Sequence, residues 1–123
     1  MRKLILLASL GAVIGSSARY GISLSLPATI TDSFPWPTLA VNLLGSFLIG
    51  LISANTNLMD DETKRAFYVI GVLGGFTTFS ALAVETVDMN SHPLSAIAYL
   101  VFSFTGGLLL VQLGVTFKIK SSR

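Results

Sequence analysis

The stretch Gly71-Val72-Leu73-Gly74-Gly75-Phe76-Thr77-Thr78-Phe79-Ser80 sets glycines and hydroxyls in the middle of an apolar segment long enough to cross a bilayer. A break in such a helix strands N–H and C=O groups that hydrocarbon cannot satisfy, so they persist only where they face protein, water or an ion. Thr77, Thr78 and Ser80 add hydroxyls there, and Phe76 and Phe79 add rings whose positive edge favours an anion that the face repels. These groups suit the coordination of ions. No nucleophile–base pair, carboxylate dyad, phosphate-binding loop or dinucleotide fingerprint occurs in the chain, which argues against an enzyme.

Few other polar residues lie within apolar segments. Arg19 is the one basic residue inside a span; its guanidinium either snorkels to the interface or draws anions into a watery vestibule. Asn42 has Ser46 at i+4 and Ser53 at i+11 on about the same helix face, with Gly45 and Gly50 nearby. An intramembrane asparagine often joins helices, but beside a broken helix it reads as a donor lining a pathway. Tyr99, Ser103 and Gly107 form one stripe at i, i+4 and i+8, either a row of hydroxyls or a packing face. Glu85, near the far end of its segment, reads as interfacial, with a place in an ion vestibule as the second option. Phe67, Phe102, Phe104 and Phe117 read as packing or lipid-facing rings, and His92 has no second ligand at metal-binding spacing.

These residues need a membrane scaffold, and the composition supplies one. The 123 residues are 52% hydrophobic and 11% charged, with a mean hydropathy of +0.76, too little polar surface to coat a soluble domain. There is no cysteine, so disulfides and thiolate sites are excluded, and the basic residues form no patch of the kind that binds nucleic acid. Four apolar segments, about 4–26, 38–58, 66–87 and 94–117, each approach the roughly 20 residues that a spanning helix needs. They make one four-span membrane domain over 1–123. Pro27 closes the first, Pro35-Trp36-Pro37 marks an interfacial loop, and Asp60 to Arg65 form a solvated turn whose acids suit a helix N-terminus. The apolar run from Leu4 to Leu26 outlasts any signal-peptide core, and its Gly11-x-x-x-Gly15 is a helix-packing spacing, so it reads as a retained span. Arg2, Lys3, Lys64, Arg65, Lys118, Lys120 and Arg123 all fall on one side of such a four-span chain, while loops 28–37 and 88–93 hold no Lys or Arg. The positive-inside rule then places both termini in the cytoplasm.

Gly15-x-x-x-Arg19-Tyr20, Thr38-Leu39-x-Val41-Asn42-x-x-Gly45-Ser46-Phe47-x-x-Gly50 and Gly74-Gly75-Phe76-Thr77-Thr78-Phe79-Ser80 followed by Glu85 resemble the Fluc (CrcB) fluoride channels over all four spans. The resemblance implies an all-α membrane protein of four helices per subunit, with the third helix broken mid-membrane and two subunits in an antiparallel dimer. Its function would be to export cytoplasmic fluoride down its electrochemical gradient and so reduce fluoride toxicity. It implies fluoride pathways with Asn42 as amide donor, Phe79 as aromatic edge, and Ser80, Tyr99 and Ser103 as hydroxyls. It also implies Arg19 and Glu85 in the vestibule and a structural sodium ion at the dimer centre on the carbonyls of Gly74 and Thr77. Fluoride holds its hydration tightly, so a narrow groove of short donors must replace that shell.

Three departures qualify the likeness. Phe79-Ser80-Ala81-Leu82 stands where many members read Phe-Ser-Thr-Phe, and Gly107 stands where a third track serine is common. The one-sided loop charge departs from members that insert in both orientations, and implies a fixed orientation and pairing with an oppositely oriented paralogue. The other readings are a small multidrug-resistance-like transporter, which needs an acid in a first span that here has none, and a non-conducting partner subunit of a heterodimeric channel.

Overall fold

The computed structural model describes residues 1–25 and 34–121. The expected end of the first span at Leu26, its stop at Pro27, the loop residues up to Ser33 and the basic Arg123 lie outside the described residues. Among the described residues, four helices are long and apolar enough to cross a membrane: Arg2–Ser25, Trp36–Ser53, Glu62–Ser91 and Pro93–Ser121, called here the first to fourth spans. The remaining structure is helical or turn.

Local chemistry sets the ends. Pro37 lies in the first turn of the second span, where the missing N–H costs nothing, and Trp36 stays 56% exposed with its ring 4.4 Å from that of Phe34. The second span stops at Ser53, earlier than expected, because Asn55 turns to extended dihedrals and starts the separate short helix Thr56–Met59. The third span starts earlier, at Glu62. The Asp61 carboxylate caps it by accepting the N–H groups of Thr63 at 2.9 Å and Lys64 at 3.1 Å, and these bonds, that of Lys64 first, hold its pKa below the usual carboxylate value.

Packing follows the small residues. The first span lies along the third and the second along the fourth. A Cβ on Gly11 would strike the Phe67 carbonyl and one on Gly15 the Val72 carbonyl, while those on Gly71 and Gly75 would strike Ala8 and Ala12. Two i, i+4 glycine pairs thus interlock, so that backbone meets backbone. Gly50 and Gly114 do the same between the second and fourth spans, against Val111 and Phe47. Residues Arg65–Leu73 of the third span are wound as a π-helix, and helices of that kind are concentrated at functional sites. At one end of the bundle, Leu39, Leu82, Met89 and Tyr99 form a buried core joined by Phe34, Leu43, Ala96 and Leu100. Outward faces such as Ile5, Val13, Leu94, Ile97 and Leu108 are exposed and apolar, as lipid requires.

Candidate functional site

The third span loses its helical dihedrals at Thr77 (φ −74°, ψ 152°) and Thr78 (φ −144°, ψ 117°) and regains them over Phe79–Asp88. Gly74 and Gly75 are themselves helical within Gly74–Phe76. The hydrogen-bond accounting at this point is specific. Asn42 Oδ1 accepts the Thr78 N–H at 2.8 Å, and Asn42 Nδ2 donates to the Thr78 carbonyl at 3.0 Å. Ser16 Oγ and Arg19 Nε both donate to the Gly75 carbonyl, each at 3.3 Å. Thr78 Oγ1 accepts the Ala81 N–H at 3.2 Å and caps the second half of the span. In an unbroken helix the Thr78 and Ala81 N–H groups would serve the carbonyls of Gly74 and Thr77. Both donors are diverted, which leaves those two carbonyls without the partners that a continuous helix would give them, and neutral carbonyl oxygens are ligands that a hard cation accepts. Gly74 is exposed on the subunit surface, and a Cβ there would meet nothing nearer than the Val69 carbonyl oxygen at 3.7 Å. Among the described residues no group of three His, Asp or Glu side chains is placed to hold a metal.

Beside the break lies a groove of about 240 Å³ lined by Asn42, Ser46 and Ile49 of the second span, Thr77, Thr78, Phe79 and Leu82 of the third, and Ser103 and Phe104 of the fourth. Gly45 lets the second span pack closely on the break, because a Cβ there would strike the Thr77 methyl. Within the groove Ser46 Oγ donates to the Asn42 carbonyl at 2.8 Å and Thr77 Oγ1 to the Leu73 carbonyl at 2.9 Å. Ser103 Oγ is buried without a hydrogen-bond partner. An unpaired buried hydroxyl costs about 1–3 kcal/mol, so this one is placed for a water or a ligand. Asn42 also keeps its second N–H. The N-terminal end of Phe79–Asp88 carries positive dipole charge, and the end of the preceding turn carries negative, so the break can hold an anion on one side and a cation on the other.

A second polar cluster lies nearer the ends of the spans. Glu85 accepts from Thr38 Oγ1 through Oε1 and from Tyr99 OH through Oε2, each at 2.6 Å, which ties the second, third and fourth spans together. Tyr99 is fully buried, and the edge of its ring meets Phe34 at 5.5 Å.

The sequence profile of the family described as CrcB-like protein, Camphor Resistance (CrcB), matches residues 6–115. This chain belongs to the CrcB family. Among CrcB relatives, a protein named "Fluoride-specific ion channel FluC" in Chlorobium chlorochromatii is 46% identical over 116 residues, covering 90% of this chain and 88% of the relative. A protein of that name in Chloroflexus aurantiacus is 43% identical over 115 residues (90% and 91%), and one in Thermus thermophilus is 44% identical over 114 (89% and 88%). With four membrane-crossing helices, this CrcB chain is a multi-pass membrane protein.

Of the residues singled out in the sequence, the CrcB fold gathers Asn42, Phe79 and Ser103 around the groove. Ser80 is exposed beside it, its hydroxyl 3.3 Å from that of Thr78. Tyr99 turns away from Ser103 to bond Glu85, so the expected row of hydroxyls is split between two clusters. Glu85 is not a free interfacial acid. Arg19 does not snorkel outward with all its donors but spends Nε on the third span. Ser46 and Thr78 belong to the groove, and Thr38 belongs to the Glu85 cluster. The spacing of four in Thr38, Asn42 and Ser46 was the signal for both. Phe104, read as a packing or lipid-facing ring, lines the groove, and Gly107 faces Ser46, whose Oγ would lie 3.3 Å from a Cβ.

Proposed function

We propose that this chain is the subunit of a fluoride-selective channel that releases cytoplasmic fluoride down its electrochemical gradient. One observation carries the reading: the groove beside the Thr77–Thr78 break holds a buried Ser103 hydroxyl with no protein partner, next to an Asn42 amide with a donor to spare. Short neutral donors beside the Phe79 ring suit a small, strongly hydrated anion, and relatives that share over two-fifths of the sequence are named as fluoride channels.

The subunit pairs antiparallel with a second subunit across the face that exposes Gly74. The carbonyls of Gly74 and Thr77, robbed of their helical donors, fit a sodium ion, and a two-fold axis doubles them to four oxygens. Hard-cation preference for neutral carbonyls supports sodium there. The termini lie in the cytoplasm, because the basic residues of both termini and of the central loop fall on one side of the four spans. The same bias favours a partner that is an oppositely oriented paralogue over an inverted copy, and Leu82 in place of a second ring makes the two pathways of such a pair unequal. A multidrug-resistance-like transporter is disfavoured, since the first span carries Arg19 and no acid. Fluoride efflux from proteoliposomes, with the purified chain alone and with its paralogue, tests the proposal. Efflux in either case is expected, and silence in both refutes it.

A further inference from the structure

Thr78 is extended, so its N–H and C=O point to one side, as in a strand. A neighbouring strand would pair with both groups; here a single side chain, Asn42, does so at 2.8 and 3.0 Å. The acceptor of Asn42 therefore competes for the one proton that would otherwise close the helix on Gly74. Three residues on, Thr78 Oγ1 competes in the same way for the Ala81 N–H that would otherwise close on Thr77. The Gly74 and Thr77 carbonyls are an i, i+3 pair, and the Gly75 carbonyl, one of the two between them, accepts from Ser16 and Arg19.

We infer that Asn42 and Thr78 are positioning residues: by taking the Thr78 and Ala81 N–H groups they hold the third span open and leave the Gly74 and Thr77 carbonyls free for a cation. Asn42 thereby couples the anion groove it lines to the cation site it does not touch. The inference rests on the channel reading for the identity of the cation, but the open break is a property of the chain itself. Asparagine suits the task because it offers an acceptor and a donor at one reach. Alanine offers neither, and aspartate offers a charge to the Thr78 carbonyl in place of the donor.

Two measurements on the full-length protein decide it. Each extended residue advances about 3.3 Å against 1.5 Å in a helix, so reclosing two residues shortens the span by about 3–4 Å. Spin labels at Ile70 and Val84, 62% and 60% exposed, read that length in chains diluted with unlabelled protein. Asn42→Ala is expected to shift the distance distribution shorter. In proteoliposomes it should raise the sodium concentration for half-maximal fluoride efflux about tenfold, the scale of one lost hydrogen bond. Thr78→Val should raise it similarly. Ser103→Ala, in the same groove but not bonded to Thr78, should slow efflux with the sodium midpoint and the spin-label distance unmoved. A wild-type distance and sodium midpoint in Asn42→Ala overturns the inference. If wild-type protein passes no fluoride, or passes it without regard to sodium, the channel or sodium reading fails instead, and the distance alone decides whether Asn42 holds the break.

Discussion

Replacing Gly15 with alanine places one methyl group between the first and third spans. The new Cβ falls on the Val72 carbonyl oxygen, 2.8 Å from the Phe76 nitrogen and 2.9 Å from the Val72 carbonyl carbon. Ordinary contact begins near 3.4 Å, so the first span must retreat by at least about 0.6 Å from a backbone that cannot rotate out of the way. Ser16 and Arg19 sit one and four residues beyond, and both reach the Gly75 carbonyl at 3.3 Å. The same retreat carries them past hydrogen-bond range. Overpacking of this kind costs about 1–3 kcal/mol, and the Gly75 carbonyl loses its donors in addition. Gly21→Ala on the same helix is the control: nothing lies within 4 Å of its Cβ, and helix propensity favours alanine by about 1 kcal/mol. Denaturant titration in micelles, followed by the fluorescence of Trp36, should show Gly15→Ala destabilised and Gly21→Ala at or above wild type. Equal midpoints for the two variants would refute the interlocked-glycine account.

Tyr99→Phe and Thr38→Val each remove one donor from the Glu85 carboxylate and should each cost about 1.5–3 kcal/mol in the same titration. Their double mutant should depart from additivity, because the second loss leaves the acid without a partner, and strict additivity would argue that Glu85 joins nothing. Ser103→Ala deletes a hydroxyl that has no protein partner, so stability should hold or rise while fluoride efflux falls; unchanged efflux would remove Ser103 from the pathway. The chain has no cysteine, so a single cysteine at Ser121 can be labelled from one side of intact cells. Labelling from the cytoplasmic side alone is expected, and equal labelling from both sides would end the fixed-orientation reading.

The spans were legible because hydropathy and proline mark them independently of tertiary structure: four apolar runs, with Pro35 and Pro37 at one boundary and the Asp61 cap at another. The location of the break was legible only to within a few residues. Glycines drew attention to Gly74 and Gly75, yet Gly71 and Gly75 serve close approach to the first span, and the helix yields two residues later at Thr77 and Thr78. What fixes that point is Asn42, which lies 36 residues away in sequence, and no local propensity encodes such a partner. The partners of Glu85 were hidden for the same reason: its position near a span end was legible, and its bonds to Thr38 and Tyr99 on two other spans were not. Arg19 stood open between two readings, and its Nε bond to the half-buried Gly75 carbonyl on the facing helix was hidden from both.

In the proposed channel the groove beside the Thr77–Thr78 break passes fluoride by substituting Ser103 and Asn42 donors for water. Paired fluoride and chloride electrodes on one set of proteoliposomes, loaded with both salts and containing the subunit and its partner, test it most directly. Fluoride is expected to leave while chloride stays. Release of both anions together, or of neither, would contradict it.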